Sequence, residues 1–376
     1  MARILFVNLE GKIGGAETSL LLMVKYLRGQ FAISVACPDG GPLSSALASM
    51  QVKSHELPGP PNRSYLSFFT LTYWLRVSWR LMRIALRVNP DVIHANSFYA
   101  GVPATLTALV TRKKLLLHAR DLADFRFLYR LYGRFSQQII AVSHAVRNDL
   151  IKKGIQPDKI KVIYNGVDKG SYSQSGETQD SFSAPRYPRK NSFIFAHIGQ
   201  SVPWKNHILY LKAASNIAKY LPDARFALVG ANIFSCGTKY ERSVFSYAKS
   251  SFIVDRIDFV GWQENMDEVW QLIDCLVHTA KQEPFGRVII EAMAHRIPVI
   301  AIGTGGPSEI IQDHKTGILV PADNVEALSE AMCNVAQDRQ LTSRLVNAAF
   351  EHTMSNFTAD KTAAQIQEVY MEILAA

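Results

Sequence analysis

The sequence predicts an α/β protein made of two parallel-sheet domains. Three observations carry this. Short apolar runs of strand length alternate with helix-length stretches, the pattern of parallel strands covered on both faces. That pattern stops at a Ser-, Gly-, Gln- and Pro-rich segment, residues 169–191, and then restarts. The chain has 376 residues, 48% of them hydrophobic and 19% charged, which suits two globular cores better than one.

In the first half, residues 3–8 form an apolar run that ends in a Gly-rich turn at 11–15, and residues 16–27 read as a helix. Strands follow at 31–37, 92–95, 114–118 and 139–142, with another at 162–164 leading into Asn165-Gly166-Val167-Asp168. In the second half, strands are expected at 192–198, 225–229, 256–259, 275–278, 298–301 and 317–320. Helices are expected at 207–219, 288–294 and 325–336. The expected domains are 1–170 and 192–356 with 171–191 as linker, and a last helix at about 357–376 is expected to return to the first domain. Two such domains place ligands at the carboxyl ends of their strands, in a central cleft.

Composition narrows the function classes. No stretch approaches the roughly 20 apolar residues of a membrane-spanning helix. The N-terminus reads as a first strand, without the h-region and cleavage site of a secretory signal. Cys37, Cys236, Cys275 and Cys333 are widely spaced, suggesting neither zinc nor a disulfide framework, and a reducing cytoplasm fits. Charge is uneven. Residues 1–170 hold 23 Lys and Arg against 10 Asp and Glu, while the remainder holds 18 against 22. A basic first half points to an anionic partner, or is only a solubility bias.

Glu283 and Glu291 are eight positions apart. If a helix starts near Val288, Glu283 lies on the preceding loop and Glu291 about one turn inside. Pro284-Phe285-Gly286 then offers backbone N–H groups at a helix N-terminus, which favours anions. A carboxylate within the helix suits the two hydroxyls of a ribose. Alone the pair is weak, since exposed helix glutamates are common. Its surroundings are more specific: Ala292-Met293-Ala294, Pro298-Val299-Ile300-Ala301, Gly305-Gly306-Pro307-Ser308-Glu309-Ile310-Ile311 and Thr316-Gly317-Ile318-Leu319-Val320-Pro321.

This run resembles the signature of the large retaining glycosyltransferase family four, of the GT-B fold, with two Rossmann-like domains. Gly14-Gly15-Ala16-Glu17 is similar to the family's first loop, and the resemblance covers almost the whole chain. It implies that Glu291 holds the donor ribose and Glu283 contacts the donor sugar. Phe285 and Gly286 offer N–H groups near sugar and phosphates. Lys205 neutralises the diphosphate, Gly14 and Gly15 let backbone approach it, and His118 lines the reaction centre. The resemblance implies no bound metal and no cofactor, the nucleotide-sugar being a substrate; no Asp-x-Asp-like pair is present. It also implies front-side attack, so no carboxylate nucleophile is needed. One position departs. Gln200 stands where the family usually has arginine, so Lys205 acts with helix termini alone, Arg287 assists, or activity is reduced. Without the resemblance, His118 reads as a buried structural histidine, Gly14-Gly15 as a tight turn and Lys205 as a solvated lysine. Glu309 reads as part of a helix start.

Arg76, Arg80, Arg83 and Arg87 fall on one helical stripe, with Phe68, Phe69, Tyr73, Trp74 and Trp79 before or among them. Residues 125–135 interleave Arg126, Arg130 and Arg134 with Phe127, Tyr129 and Tyr132. Such faces suit an anionic bilayer, at ~1 kcal/mol per cation near the surface. The alternative is a solvated face with aromatics turned inward. No recognition motif supports nucleic acid.

The expected function is transfer of a sugar from a UDP-sugar, or secondarily a GDP-sugar, to a glycan or lipid-linked acceptor. The setting expected is bacterial surface polysaccharide or glycolipid synthesis, on the inner face of the membrane. The alternatives are a glycosyltransferase with a small soluble acceptor and a catalytically weakened nucleotide-sugar-binding protein. Base selectivity is expected around 230–234 and 260–263.

Overall fold

The structure, a computed structural model, describes residues 1–59, 68–122, 126–172, 192–230, 237–263 and 265–375; of residues 68–71 it describes only the backbone. The chain divides into two compact units, Met1–Asp168 with Ala359–Ala376, and Lys169–Thr358.

The first unit runs β1 (Arg3–Val7), α1 (Gly15–Leu27), β2 (Ala32–Pro38), α2 (Pro42–Ser49), β3 (Lys53–Leu57), α3 (Phe68–Val88) and β4 (Val92–Ala95). It continues α4 (Phe98–Thr111), β5 (Lys114–Ala119), α5 (Arg126–Phe135), β6 (Gln138–Ala141), α6 (His144–Lys152) and β7 (Ile160–Val162). The strands form one parallel sheet in the order β3-β2-β1-β4-β5-β6-β7. Ile4, Phe6, Val35, Leu116 and Ile140 supply sheet side chains to a core that Leu20 and Val24 of α1 close.

The second unit begins with the short helix α7 (Lys169–Tyr172). It then runs β8 (Ile194–Ile198), α8 (His207–Ile217), β9 (Arg225–Val229), α9 (Lys239–Ser250), β10 (Ile257–Gly261), α10 (Met266–Leu272) and β11 (Cys275–His278). It ends α11 (Arg287–Ala294), β12 (Val299–Ile302), α12 (Pro307–Ile310), β13 (Ile318–Val320), α13 (Val325–Gln337) and α14 (Arg339–Asn356). Its sheet is also parallel, in the order β10-β9-β8-β11-β12-β13. The last helix, α15 (Ala359–Ala375), belongs to the first unit. There Tyr370 reaches His94 Nδ1 at 2.6 Å, and Ile366 and Val369 join the core.

Both sheets reverse strand order beside their first strand. β1 lies between β2 and β4, and β8 between β9 and β11. At such a switch point adjacent loops leave in opposite directions and open a crevice at the strand ends. The Gly-rich loop follows β1, Lys205 follows β8, and Glu283 follows β11, so the residues singled out by motif lie on switch-point loops.

Three details differ from the sequence expectation. β3 was not expected. As an edge strand it needs only one buried face, and Lys53-Ser54-His55-Glu56-Leu57 carries no apolar run. The strand placed at 162–164 is Ile160–Val162, whose register is set by pairing to Ile139–Ala141. The linker expected at 171–191 begins within α7, and its remainder, 173–191, lies outside the described residues. Among the described residues no helix is long and apolar enough to cross a membrane.

Candidate functional site

In the second unit, β8 delivers the chain into a 3-10 turn, Pro203–Lys205, closed by Asn206 in the left-handed region at φ 54°. This turn is bound to the end of β11. His197 Nε2 and Thr279 Oγ1 both donate to the Lys205 carbonyl, at 3.1 and 3.0 Å, and Lys281 N–H donates to the Trp204 carbonyl at 2.9 Å. The Lys205 stem lies against Gly199, where an added Cβ would come within 3.3 Å of Cε. Its ammonium sits 4.4 Å from the Trp204 ring centroid and 2.5 Å from Glu283 Oε2.

Glu283 is the centre of this arrangement. The same Oε2 accepts from His278 Nε2 at 3.1 Å. Burial alone would raise the Glu283 carboxyl, but Lys205 and His278 outweigh it and hold the pKa down to about 2. His278 is itself pushed down, by burial first, with Lys205 adding to this and Glu283 opposing it. The cluster is therefore ammonium, carboxylate and neutral imidazole, with the imidazole hydrogen on Nε2.

The backbone around Glu283 is held by the loop after β12. Gly306 N–H donates to the Glu283 carbonyl at 2.9 Å, and Thr304 Oγ1 to the Lys281 carbonyl at 2.9 Å. Two glycines make this approach feasible. A Cβ on Gly305, at φ +68°, would lie 2.6 Å from Glu283 O, and one on Gly306 would lie 2.2 Å from Phe285 O. Phe285 is buried, and Gly286 turns the chain at φ +102° into α11. The first turn of α11 presents the N–H groups of Arg287 and Val288 at a helix N-terminus, an anion-binding end, while Ile289 N–H donates to the Gly286 carbonyl at 2.9 Å. One turn on, Glu291 accepts from Arg287 at 2.8 Å and remains partly exposed. Arg287 is thus engaged by Glu291. Gln200 is half-buried in the loop after β8, its carbonyl accepting from Val202 N–H at 2.8 Å.

In the first unit, Gly14 precedes α1 and its N–H donates to Glu17 Oε2 at 3.0 Å, while Gly15 is exposed at the helix start. His118 is buried near the end of β5, its ring 5.5 Å from that of His94. Burial chiefly, then Arg120 and His94, keeps it neutral. Its Nδ1 accepts from Arg120 at 3.2 Å, and its Nε2 is buried without a hydrogen-bond partner among the described residues.

The sequence reading missed the polar network around His118. Arg120 donates to Asn96 Oδ1 at 3.0 Å and to Asn165 Oδ1 at 2.8 Å. Strand alternation carried the signal, since His118 and Arg120 are two apart and share a face. Glu17 at N3 of α1 has capping-box spacing from Gly14. Burial chiefly, then Glu17, pushes Glu10 on the first loop up to about 7. His278 was missed because a histidine ending a buried strand has no motif of its own.

On the basic face, Arg76, Arg80, Arg83 and Arg87 of α3 are all exposed, with Leu75, Trp79 and Leu86 exposed beside them. Tyr73 is buried. On α5, Arg126, Arg130 and Arg134 are exposed with Phe127, while Tyr129 and Tyr132 turn inward. Arg126 and Arg130 donate to the carbonyls of Lys152 and Lys153 at the end of α6, so they also cap that helix. The side chains of Phe68 and Phe69, Phe125, and residues 231–234 of the base-selecting segment lie outside the described residues. Among the described residues no group of three or more His, Cys, Asp or Glu is arranged to hold a metal ion.

Two family models cover most of the chain: Glycosyltransferase Family 4 over residues 13–170 and Glycosyl transferases group 1 over residues 179–352. The chain is 25% identical over 317 residues to N-acetyl-alpha-D-glucosaminyl L-malate synthase of Bacillus anthracis, covering 80% of each chain. It is 21% identical to UDP-Gal:alpha-D-GlcNAc-diphosphoundecaprenol alpha-1,3-galactosyltransferase of Escherichia coli, covering 92% of this chain and 90% of that one. Among solved structures, Anabaena Alr3699/HepE in complex with UDP-glucose superposes with a TM-score of 0.83 at 25% identity, covering 99% of this chain and all of that one.

Proposed function

The chain belongs to glycosyltransferase family four and has its GT-B fold; from that premise we propose that it transfers a hexose from a nucleoside diphosphate donor, with retention, to a glycan or lipid-linked acceptor. UDP is the favoured carrier, because UDP-glucose occupies the similar Anabaena protein and UDP-Gal is named for the Escherichia coli relative. GDP is the second choice. The observation that carries the donor site is the buried cluster of Lys205, Glu283 and His278, beside the N-terminus of α11.

Breaking the bond between the anomeric carbon and phosphate leaves its electron pair on the diphosphate. Lys205 and the first-turn N–H groups of α11 stabilise that charge. Glu283 orients the sugar, held ionised and fixed by His278. Glu291 accepts the ribose hydroxyls, and the Gly14-Gly15 loop allows backbone near the phosphates. The acceptor hydroxyl attacks the same face, and its proton passes to the departing phosphate oxygen. No enzyme nucleophile is formed and no metal is needed. We assign His118 to the reaction centre because it lies near the end of β5, at the carboxyl edge of the first unit's sheet.

The basic, apolar face of α3 is the proposed contact with an anionic membrane. Exposed Leu75, Trp79 and Leu86 interleave the four arginines, as in a helix lying in the interface. It favours a lipid-linked acceptor over a small soluble one such as that named for the Bacillus relative.

A second reading, a nucleotide-sugar-binding protein of weakened activity, draws on Gln200 and on the engagement of Arg287 by Glu291. Transfer and donor hydrolysis, measured on a panel of UDP- and GDP-sugars, separate the two. Enzyme activity should fall at least about a hundredfold in Lys205→Ala, the scale of losing a leaving-group stabiliser. Wild-type activity equal to that of Lys205→Ala, with Gln200→Arg gaining activity, would instead establish the weakened protein.

A further inference from the structure

A cavity of about 200 Å³ lies between the edge strand β3 and the C-terminal half of α3. Ser54, His55 and Glu56 line it from the strand, and Arg80, Arg83 and Arg87 from the helix. None of these residues belongs to the donor cluster or to the loops at the carboxyl ends of the strands.

Its side chains are partly fixed. Arg80 donates to the Glu56 carbonyl at 3.3 Å and lies 3.5 Å from Glu56 Oε2. The Arg83 guanidinium sits 4.8 Å from the Trp79 ring centroid. Arg87 makes no hydrogen bond or ion pair among the described residues, and His55 Nε2 is buried without a hydrogen-bond partner. Burial first, then Lys53 and Arg87, keeps the His55 ring neutral. Three arginines and one glutamate line the cavity, a formal net charge of two positives, together with a serine and a histidine. Arginine forks match phosphate oxygens two at a time. A compact dianion would relieve the repulsion between neighbouring guanidiniums.

We propose that this cavity binds a phosphate monoester, supplied by the headgroup of an anionic lipid. The ligand chemistry rests on the cavity itself; the source rests on the membrane contact proposed for the same helix. A monoester phosphate carries about −1.5 to −2 at neutral pH, against −1 for a diester, so the site discriminates headgroups where a merely basic face would not. Arg76 lies on the same stripe but outside the cavity, and serves as the control.

The test is co-sedimentation of the full chain with phosphatidylcholine vesicles doped with phosphatidate or phosphatidylglycerol at matched surface charge. It is paired with thermal shifts in glycerol 3-phosphate and in inorganic phosphate. The wild type should prefer phosphatidate by about tenfold, the scale of one good charge-assisted pair. Arg87→Gln should abolish that preference, and Arg76→Gln should weaken binding to both vesicles while keeping it. Equal binding to the two vesicles, with soluble phosphates stabilising wild type and Arg87→Gln alike, overturns the site and leaves membrane contact standing. Failure to bind either vesicle, with glycerol 3-phosphate stabilisation that Arg87→Gln removes, overturns the membrane source and retains the phosphate site.

Discussion

Glu283→Gln tests the physical centre of the donor site without reference to the substrate. Lys205 and Glu283 have side chains about 11% and 10% exposed, with Nζ and Oε2 at 2.5 Å. Glutamine keeps the shape and can accept from His278, but leaves the ammonium buried without a counter-charge. Removing one partner of such a pair costs roughly 3–5 kcal/mol. Proton linkage gives the same order. The carboxyl moves from its ordinary 4.5 to about 2, worth about 3 kcal/mol at ~1.4 kcal/mol per pH unit. For a unit of this size the calorimetric transition should fall by on the order of 10 °C at pH 7 without nucleotide. Adding Lys205→Met should recover most of the loss, since the uncompensated charge goes with it. The sign with pH is fixed. A depressed carboxyl stabilises fully above its unfolded pKa and loses that contribution as pH falls toward the folded value. The gap between wild type and Glu283→Gln should therefore narrow below pH 4.5. A loss below about 1 kcal/mol, no recovery in the double variant, or a gap unchanged from pH 7 to 3 would show that the Lys205–Glu283 pair does not stabilise the fold.

Gly306→Ala should destabilise the second unit by at least about 2 kcal/mol and weaken UDP-sugar binding, because its Cβ would overlap the Phe285 carbonyl. Gly303→Ala, whose Cβ would make only ordinary contacts, Leu319 at 3.5 Å and the Val320 carbonyl at 3.7 Å, should be near neutral in the same denaturation series, and equal losses would count against a steric cause at Gly306. In His118→Asn the new Oδ1 takes the place of Nδ1 opposite Arg120, while Nε2 is lost. Turnover should fall about tenfold, the scale of one lost hydrogen bond, with donor KM little changed. A lowered melting temperature with unchanged turnover would make His118 a packing residue.

The parallel sheets were legible because a buried strand must be apolar on both faces. β4, β9 and β11 were each read residue for residue from such runs. β3 was illegible for the complementary reason. An edge strand with one buried face can be written in Lys, Ser, His and Glu, and only its pairing to Ser34–Pro38 reveals it. In the candidate site the spacing of Glu283 and Glu291 located the helix start to within one residue. What spacing could not convey was the state of each group. That Lys205 is paired with Glu283 and Arg287 with Glu291 depends on how β8, β11 and α11 bring distant segments together. The arginines of α3 and α5 looked alike in sequence. They separate in the structure because the end of α6 lies beside α5 and accepts from two of them.

These pairings give Gln200 its meaning. Before donor binds, the cluster of Lys205, Glu283 and neutral His278 carries no net charge, and Arg287 with Glu291 carries none either. A nucleoside diphosphate brings two or more negative charges toward groups whose positive charge is already shared with carboxylates. An arginine at position 200 would have supplied a cation uncommitted to either pair. In the proposed donor site, with glutamine there, the diphosphate would draw Lys205 partly away from Glu283, or rely on N–H groups such as those of α11. Drawing Lys205 away raises the cost of keeping Glu283 ionised, unless sugar hydroxyls replace the lost bond. Donor affinity should therefore depend on the sugar more than on the nucleotide. UDP alone should bind weakly beside UDP-sugar, and Gln200→Arg should narrow that ratio by tightening UDP. Calorimetric titration of both ligands against wild type and Gln200→Arg measures it directly; a ratio unchanged by the substitution would sever the link between residue 200 and the Lys205–Glu283 pair.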